Sequence, residues 1–261
     1  NDSCYQYSLM FADKPHVAGM KETIEVGFTV GNEWNKLGFN PIYDNISNIV
    51  LSKYISSNLS WVINDELIPI DLSNDIIDTD SSTSDPFRSR AWFAYGATGN
   101  VTAPMLYVGN GTNDDYQFLM DLGYNLTQYI GIAKVRNRGT QARTAGEHGL
   151  KGLILFRDPG PSPPQHELPF GDPRQYPNDR FLPDGGFMYG TVRIGSGCSG
   201  SVNEERLVEQ CDFDNSGDNW DKLFPSIYYD LPMVAMSSKT AYKVFSYLFN
   251  NAVDHGCTII S

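Results

Sequence analysis

Residues 125–159 constrain the fold of this chain more than any other stretch. Two apolar runs, Ile130-Gly131-Ile132-Ala133 and Leu153-Ile154-Leu155-Phe156, are each closed by a cation, at Lys134 and Arg157. Short runs that are apolar on both alternating faces suit strands covered on both sides, as in a parallel sheet. Between them, Gly139, Thr140, Ala142 and Ala145 supply small residues for a tightly packed crossover helix, so the stretch predicts strand, helix, strand.

A chain of 261 residues with 41% apolar content can bury a sizeable core around that unit. Its formal net charge of -12, with no Lys/Arg cluster, excludes a nucleic-acid partner, because phosphate binding depends on clustered cations that release counterions. No apolar run reaches the length of a membrane span, and no charged-then-apolar leader starts the chain at Asn1. Asn-X-Ser/Thr sequons at Asn1, Asn45, Asn58, Asn100, Asn110 and Asn125 predict passage through the secretory pathway. The expected product is a secreted glycoprotein, or the extracellular side of a membrane-anchored one. The cysteines agree with an oxidising compartment. Cys198 and Cys211 predict a short disulfide loop worth roughly 3 kcal/mol by loop entropy, and Cys4 with Cys257 would clamp the two chain ends, one of three open connectivities.

Towards the amino terminus, Ile24, Phe28, Trp34 and Leu37 fall near helical spacing and Gly38 supplies a stop, predicting an amphipathic helix over 23–37. Residues 39–54 read as extended, 59–72 as a hairpin turning at Asn64-Asp65, 71–90 as a solvated loop and 91–108 as strand. Asn113, Asp114 and Asp115 can cap a short helix carrying Phe118, Leu119 and Leu122. Residues 159–186 are rich in proline and predict a long ordered loop; residues 233–236 then read as strand and 237–250 as helix.

Two sets of residues carry a family resemblance. The unit at 125–159, the loop Tyr176-Pro177-Asn178-Asp179-Arg180-Phe181-Leu182-Pro183-Asp184-Gly185-Gly186 and the stretch Leu231-Pro232-Met233-Val234-Ala235-Met236 together resemble a protease-associated (PA) domain. Lys14-Pro15-His16-Val17-Ala18-Gly19, followed by Glu33-Trp34-Asn35-Lys36-Leu37-Gly38-Phe39, resembles the amino-terminal segment of the M28 zinc peptidases of the glutamate carboxypeptidase II and transferrin-receptor branch. The resemblance implies an α+β fold. It would comprise a helix-strand segment of the peptidase-type domain at 1–58, a β-rich PA domain (β-sandwich or barrel-like with flanking helices) at 59–255, and a tail at 256–261.

Departures from the family pattern shape the functional expectation. An Arg in a strand-to-helix segment and an Asn in the Trp-Asn-Leu-Pro stretch help those carboxypeptidases hold substrate. The positions read as matching are Thr112 and Phe181, and neither a hydroxyl nor a phenyl ring holds a carboxylate bidentately. The calcium-associated loop expected after Gly190 is replaced by Thr191-Val192-Arg193-Ile194-Gly195-Ser196-Gly197-Cys198. A zinc site of this branch begins with His-x-Asp, which none of His16, His148, His166 and His255 supplies. The acidic run Asp212, Asp214 and Asp218 lacks the distal bidentate Glu of a calcium loop and reads as solvated. No Gly-x-Ser-x-Gly elbow occurs.

The expectation is therefore a non-catalytic binding or substrate-access module, with no catalytic residue, metal ligand or cofactor of its own and zinc only in a full-length family member. The alternative is the amino-terminal part of an active zinc exopeptidase whose metal site follows Ser261. The partner would be a protein or a downstream peptidase domain, with a homodimer open. The candidate binding surface is the aromatic set Phe170, Tyr176, Phe181, Phe187 and Tyr189. Arg138 and Arg157, flanking the central unit, read as surface ion-pair residues with a lesser claim to recognition.

Overall fold

The computed structural model describes residues 2–12, 16, 20–42, 52–63, 65–86, 91–157, 171–188, 190–192, 231–250 and 256–260. Its strands are β1 (Asn58–Ile63), β2 (Glu66–Ile70), β3 (Asn100–Tyr107), β4 (Ile130–Lys134), β5 (Gly152–Arg157), β6 (Met233–Ser237) and β7 (Gly256–Ile260). Its α-helices are α1 (Asp2–Ala12), α2 (Lys21–Lys36), α3 (Asn113–Asp121), α4 (Arg138–Glu147) and α5 (Ser238–Asn250). The described strands form one seven-stranded sheet in the order β2-β1-β7-β3-β4-β5-β6. From β3 to β6 the pairing is parallel, and from β3 through β7 and β1 to β2 it is antiparallel.

Strand alternation explains the two cores. Leu153, Leu155, Met233 and Ala235 point to one face, where they meet Tyr116 of α3 and Ala142 and Ala145 of α4. Their neighbours Ile154, Phe156, Val234 and Met236 point to the other, with Ile130 and Ile132 of β4, and meet Ala241 and Val244 of α5. A strand buried on both faces needs cover on both. Full burial of each Ile, Val or Leu contributes about 1.5–3 kcal/mol, so these short runs stabilise the sheet strongly for their length.

The helix starts are written locally. Asn137 caps α4 by accepting from the Thr140 N–H at 3.2 Å. Thr112 caps α3 in a reciprocal box with Asp115. Ser237 Oγ accepts from the Thr240 N–H at 3.2 Å and opens α5. At the end of α4, Gly149 takes φ +74°, a left-handed conformation that lets the chain turn sharply into β5.

Several expectations hold and several are corrected. The central strand-helix-strand unit, the helix beginning near residue 21 and the hairpin are present, and Asp65 takes φ +66° at its turn. The chain is mixed α and β, as expected, and its described strands form a single sheet with helices on both faces. Residues 256–260, read as a tail, supply β7, which pairs with both β1 and β3. Residues 91–99 are irregular apart from isolated bridges at Ala94 and Ala97. No helix among the described residues is long and apolar enough to cross a membrane.

Candidate functional site at the carboxyl ends of the parallel strands

In parallel sheets the carboxyl ends of the strands meet the helix amino termini, and ligands gather at that edge. Here the turn after β3 is pinned by Asp115, whose Oδ2 accepts from the Asn110 N–H at 3.2 Å, the Thr112 N–H at 3.0 Å and the Thr112 hydroxyl at 2.7 Å. Gln141, only 3% exposed, ties this turn to the next one. Its Nε2 donates to the carbonyls of Asn110 at 2.7 Å and Lys134 at 2.6 Å, and its Oε1 accepts from the Arg136 N–H at 2.8 Å. Arg136 Nε also donates to Asn110 Oδ1 at 3.1 Å. The β3–α3 and β4–α4 junctions are thus one braced unit.

That brace presents Arg138, the first residue of α4. Its Nε is buried and finds no hydrogen-bond partner among the described residues. Gly190 lies over the guanidinium: a Cβ there would stand 2.5 Å from Arg138 Cζ. Gly190 is held in place because its carbonyl accepts from the Ala94 N–H at 3.0 Å. Arg157 ends β5 on the same carboxyl edge of the sheet. Burial first, and the neighbouring Arg138 charge second, hold its guanidinium below its ordinary pKa. Arg157 Nη1 also contacts Met188 Sδ at 3.8 Å. Two guanidinium groups separated along the chain are therefore neighbours at one partly buried edge, a geometry that suits an anion and above all a bidentate carboxylate.

Thr112 belongs to the β3–α3 junction and is spent on capping, whereas the β4–α4 junction carries Arg138, so this edge does possess a guanidinium. Phe181 is half-buried, with Arg180 Cζ 5.4 Å from its ring centroid.

The loop at 171–188 is docked rather than loose. Gln175 and Asp184 exchange two hydrogen bonds, at 2.8 and 3.0 Å, and the Asp184 carbonyl accepts from the Lys239 N–H at 2.9 Å at the start of α5. The Tyr176 hydroxyl donates to Asp80 Oδ2 at 2.8 Å. Of the aromatic set expected to form a binding surface, Tyr176 is exposed and Phe181 half-exposed, but Phe187 is 4% exposed and packs in the core with Phe93 and Leu231. Its apolar ring fills the space beneath the loop, so it is no part of a surface. Phe170 and Tyr189 lie outside the described residues.

The remaining candidates separate clearly. His148 bonds Asn113 Oδ1 at 3.1 Å through Nε2 and stacks near Tyr116, which gives it a structural task. His166, His255 and the acidic run at 212–218 lie outside the described residues. Among the described residues no three His, Cys, Asp or Glu side chains converge as metal ligands. Cys4 is a free, exposed thiol on α1. Cys198 and Cys211 lie outside the described residues. Asn58, Asn100 and Asn125 are exposed and Asn110 is half-buried; Asn1 and Asn45 lie outside the described residues.

No family model matches the chain. A glutamate carboxypeptidase 2 homolog of Caenorhabditis elegans is 24% identical over 255 residues, covering 93% of this chain and 32% of that protein. A probable glutamate carboxypeptidase of Arthroderma benhamiae is 30% identical over 147 residues, covering 55% of this chain and 20% of that protein. Among solved structures, the aminopeptidase from Aneurinibacillus sp. strain AM-1 superposes with a TM-score of 0.45 at 13% identity, covering 99% of this chain and 43% of that one. The chain spans about a third or less of the length of these curated relatives. It is related to the glutamate-carboxypeptidase-like M28 zinc peptidases.

Proposed function

We propose that this chain is a PA-type, non-catalytic substrate-access module of a glutamate-carboxypeptidase-like zinc exopeptidase, working in a secreted or extracellular setting. The observation that carries the reading is the placing of Arg138 and Arg157 on the same carboxyl edge of the parallel strands, with Arg138 Nε buried and unpartnered among the described residues. A carboxylate of an acidic peptide enters this edge, accepts from the guanidinium groups and is thereby oriented. The described residues offer no ligand set for zinc, so bond cleavage belongs to a peptidase domain elsewhere, either in the same protein or in a partner. The exposed apolar side chains of α2, which include Ile24, Phe28 and Trp34 at 55% exposure, offer a seat for that domain or for a partner protein.

Calorimetric titration of the chain with an acidic dipeptide tests the reading, with the carboxamide analogue as control. Arg138→Ala should weaken binding by roughly tenfold or more, since a hydrogen bond to a charged group contributes about 1.5–3 kcal/mol. If Arg138→Ala and Arg157→Ala both bind like the parent chain, the edge is not the recognition site.

A further inference from the structure

The β-register brings two sequons distant in sequence into alignment. Asn58 of β1 and Asn100 of β3 both pair with Ile260 of β7, one on either side, and Ser60 and Thr102 both pair with Thr258. Residues in register across a ladder project to the same face, so Asn58 and Ser60 lie alongside Asn100 and Thr102 on one side of the sheet. Burial identifies which side. Leu59, Trp61 and Ala103 are buried in the core beneath α5, whereas Asn58, Asn100 and Thr102 on the opposite side are exposed. Two ladder spacings separate the asparagines, about 10 Å.

We infer that Asn58 and Asn100 both carry N-linked glycans, which stand side by side on the face of β1 and β3 opposite the core beneath α5. The inference rests on the secretory reading of the chain. The amide nitrogen of each asparagine attacks the anomeric carbon of an oligosaccharide carried on a polyprenyl diphosphate. A C–N bond forms, the C–O bond to the diphosphate breaks, the amide gives up one proton and the lipid diphosphate leaves. Asn110 provides the contrast. Its Oδ1 accepts from Arg136, its carbonyl from Gln141, and the hydroxyl of its sequon partner Thr112 is spent on Asp115. Asn110 stays bare.

The position has a consequence for binding. Asn58 and Asn100 begin their strands, and β3 runs about 25 Å from Asn100 to the carboxyl edge where Arg138 and Arg157 meet. The glycans stand at the amino-terminal ends of β1 and β3 and leave the arginine edge clear.

The test is site-by-site occupancy of the full chain secreted from a eukaryotic host, read by enzymatic deglycosylation in heavy-oxygen water and peptide mass spectrometry. Labelled Asp at positions 58 and 100, with unlabelled Asn at 110, is the expected result. Ser60→Ala and Thr102→Ala, which delete the sequons while keeping both asparagines, should each remove one glycan step on a gel. Asparagine-to-glutamine variants at 58 and 100 should give the same steps if an alanine variant folds poorly. Bare Asn58 or Asn100, or a glycan on Asn110, while other sequons are occupied overturns the pairing and leaves the secretory reading standing. A chain with no glycan at any sequon overturns both.

Discussion

Gln141→Ala tests whether the braced junctions are held as described. The side chain is almost wholly buried and makes three hydrogen bonds, donating to Asn110 O and Lys134 O and accepting from Arg136 N. Each such bond contributes about 1 kcal/mol net, and leaving a buried backbone group unsatisfied adds roughly 1–3 kcal/mol. The truncation should therefore cost about 3–5 kcal/mol, a large share of the roughly 5–15 kcal/mol that holds a typical domain together. Equilibrium unfolding in urea, extrapolated to water, reads the loss directly. Gln117→Ala serves as the control, because Gln117 bonds Asp121 on the exposed side of α3 and its removal should fall within about 0.5 kcal/mol. Gln141→Glu sharpens the case: it keeps an acceptor for Arg136 but sets a carboxylate against two carbonyls, so it should destabilise at least as much at neutral pH. A loss below about 1 kcal/mol for Gln141→Ala would refute the brace, because two carbonyls and one N–H cannot all lose a buried partner so cheaply.

Further outcomes at three residues follow from single observations. Tyr116 is 0% exposed and its hydroxyl has no partner among the described residues, so Tyr116→Phe should stabilise the chain by about 1–2 kcal/mol in the same urea assay; a loss of stability would show that the hydroxyl is satisfied. Burial first, and Asp115 second, raise the Tyr116 phenol above its ordinary 10.0, so its contribution is complete below that pH and fades as pH rises beyond it, an alkaline loss that the Phe variant should lessen. Asp172 is held down to about 2 by the Arg174 side chain first and the Arg174 N–H second, so its contribution is present above 3.8 and is lost as pH falls towards 2; a carboxyl carbon titrating near 3.8 by NMR would contradict the pairing. Gly190→Ala should displace the Arg138 guanidinium and abolish acidic-dipeptide binding in calorimetry, and unchanged binding would mean that Gly190 does not cover Arg138.

Where local pattern suffices, the fold was legible. The runs at 130–134 and 152–157 are apolar at both odd and even positions, which only a doubly covered strand tolerates, and the small residues of α4 let a helix approach closely. The turn at Asp65 and the glycine stop after α4 carry their own conformational signals. The failures share a different cause. Gly256–Ile260 is five residues long at the end of the chain, and nothing in those residues announces that β1 and β3, more than 150 positions away, will pair with both its edges. Thr258, Ile259 and Ile260 carry strand propensity, but propensity does not name the partner strands. Residues 91–99 err in the opposite sense, since Ala91 and Phe93 are apolar because they fill the core while their backbone makes only isolated bridges. Phe187 was misplaced for the same reason: an aromatic in a proline-rich loop can face either way, and the docking of Asp184 onto α5 turns it inward.

The arginine edge shows why recognition is harder to read than folding. Arg138 and Arg157 are visible in the sequence as two strand-end or helix-start cations, and each alone is an ordinary surface residue. Their significance arises from parallel pairing. Because β4 and β5 run side by side in register, the carboxyl ends of both strands arrive at one edge, and α4 begins there too. The crossover that separates the two arginines along the chain is therefore what joins them in space. Burial first, and the Arg138 charge second, hold the Arg157 guanidinium below its ordinary pKa, and a carboxylate entering this edge supplies the opposite charge. The same topology sends the opposite ends of β1 and β3 away from this edge with the exposed Asn58 and Asn100, so one sheet separates a face suited to solvent from an edge suited to an anion.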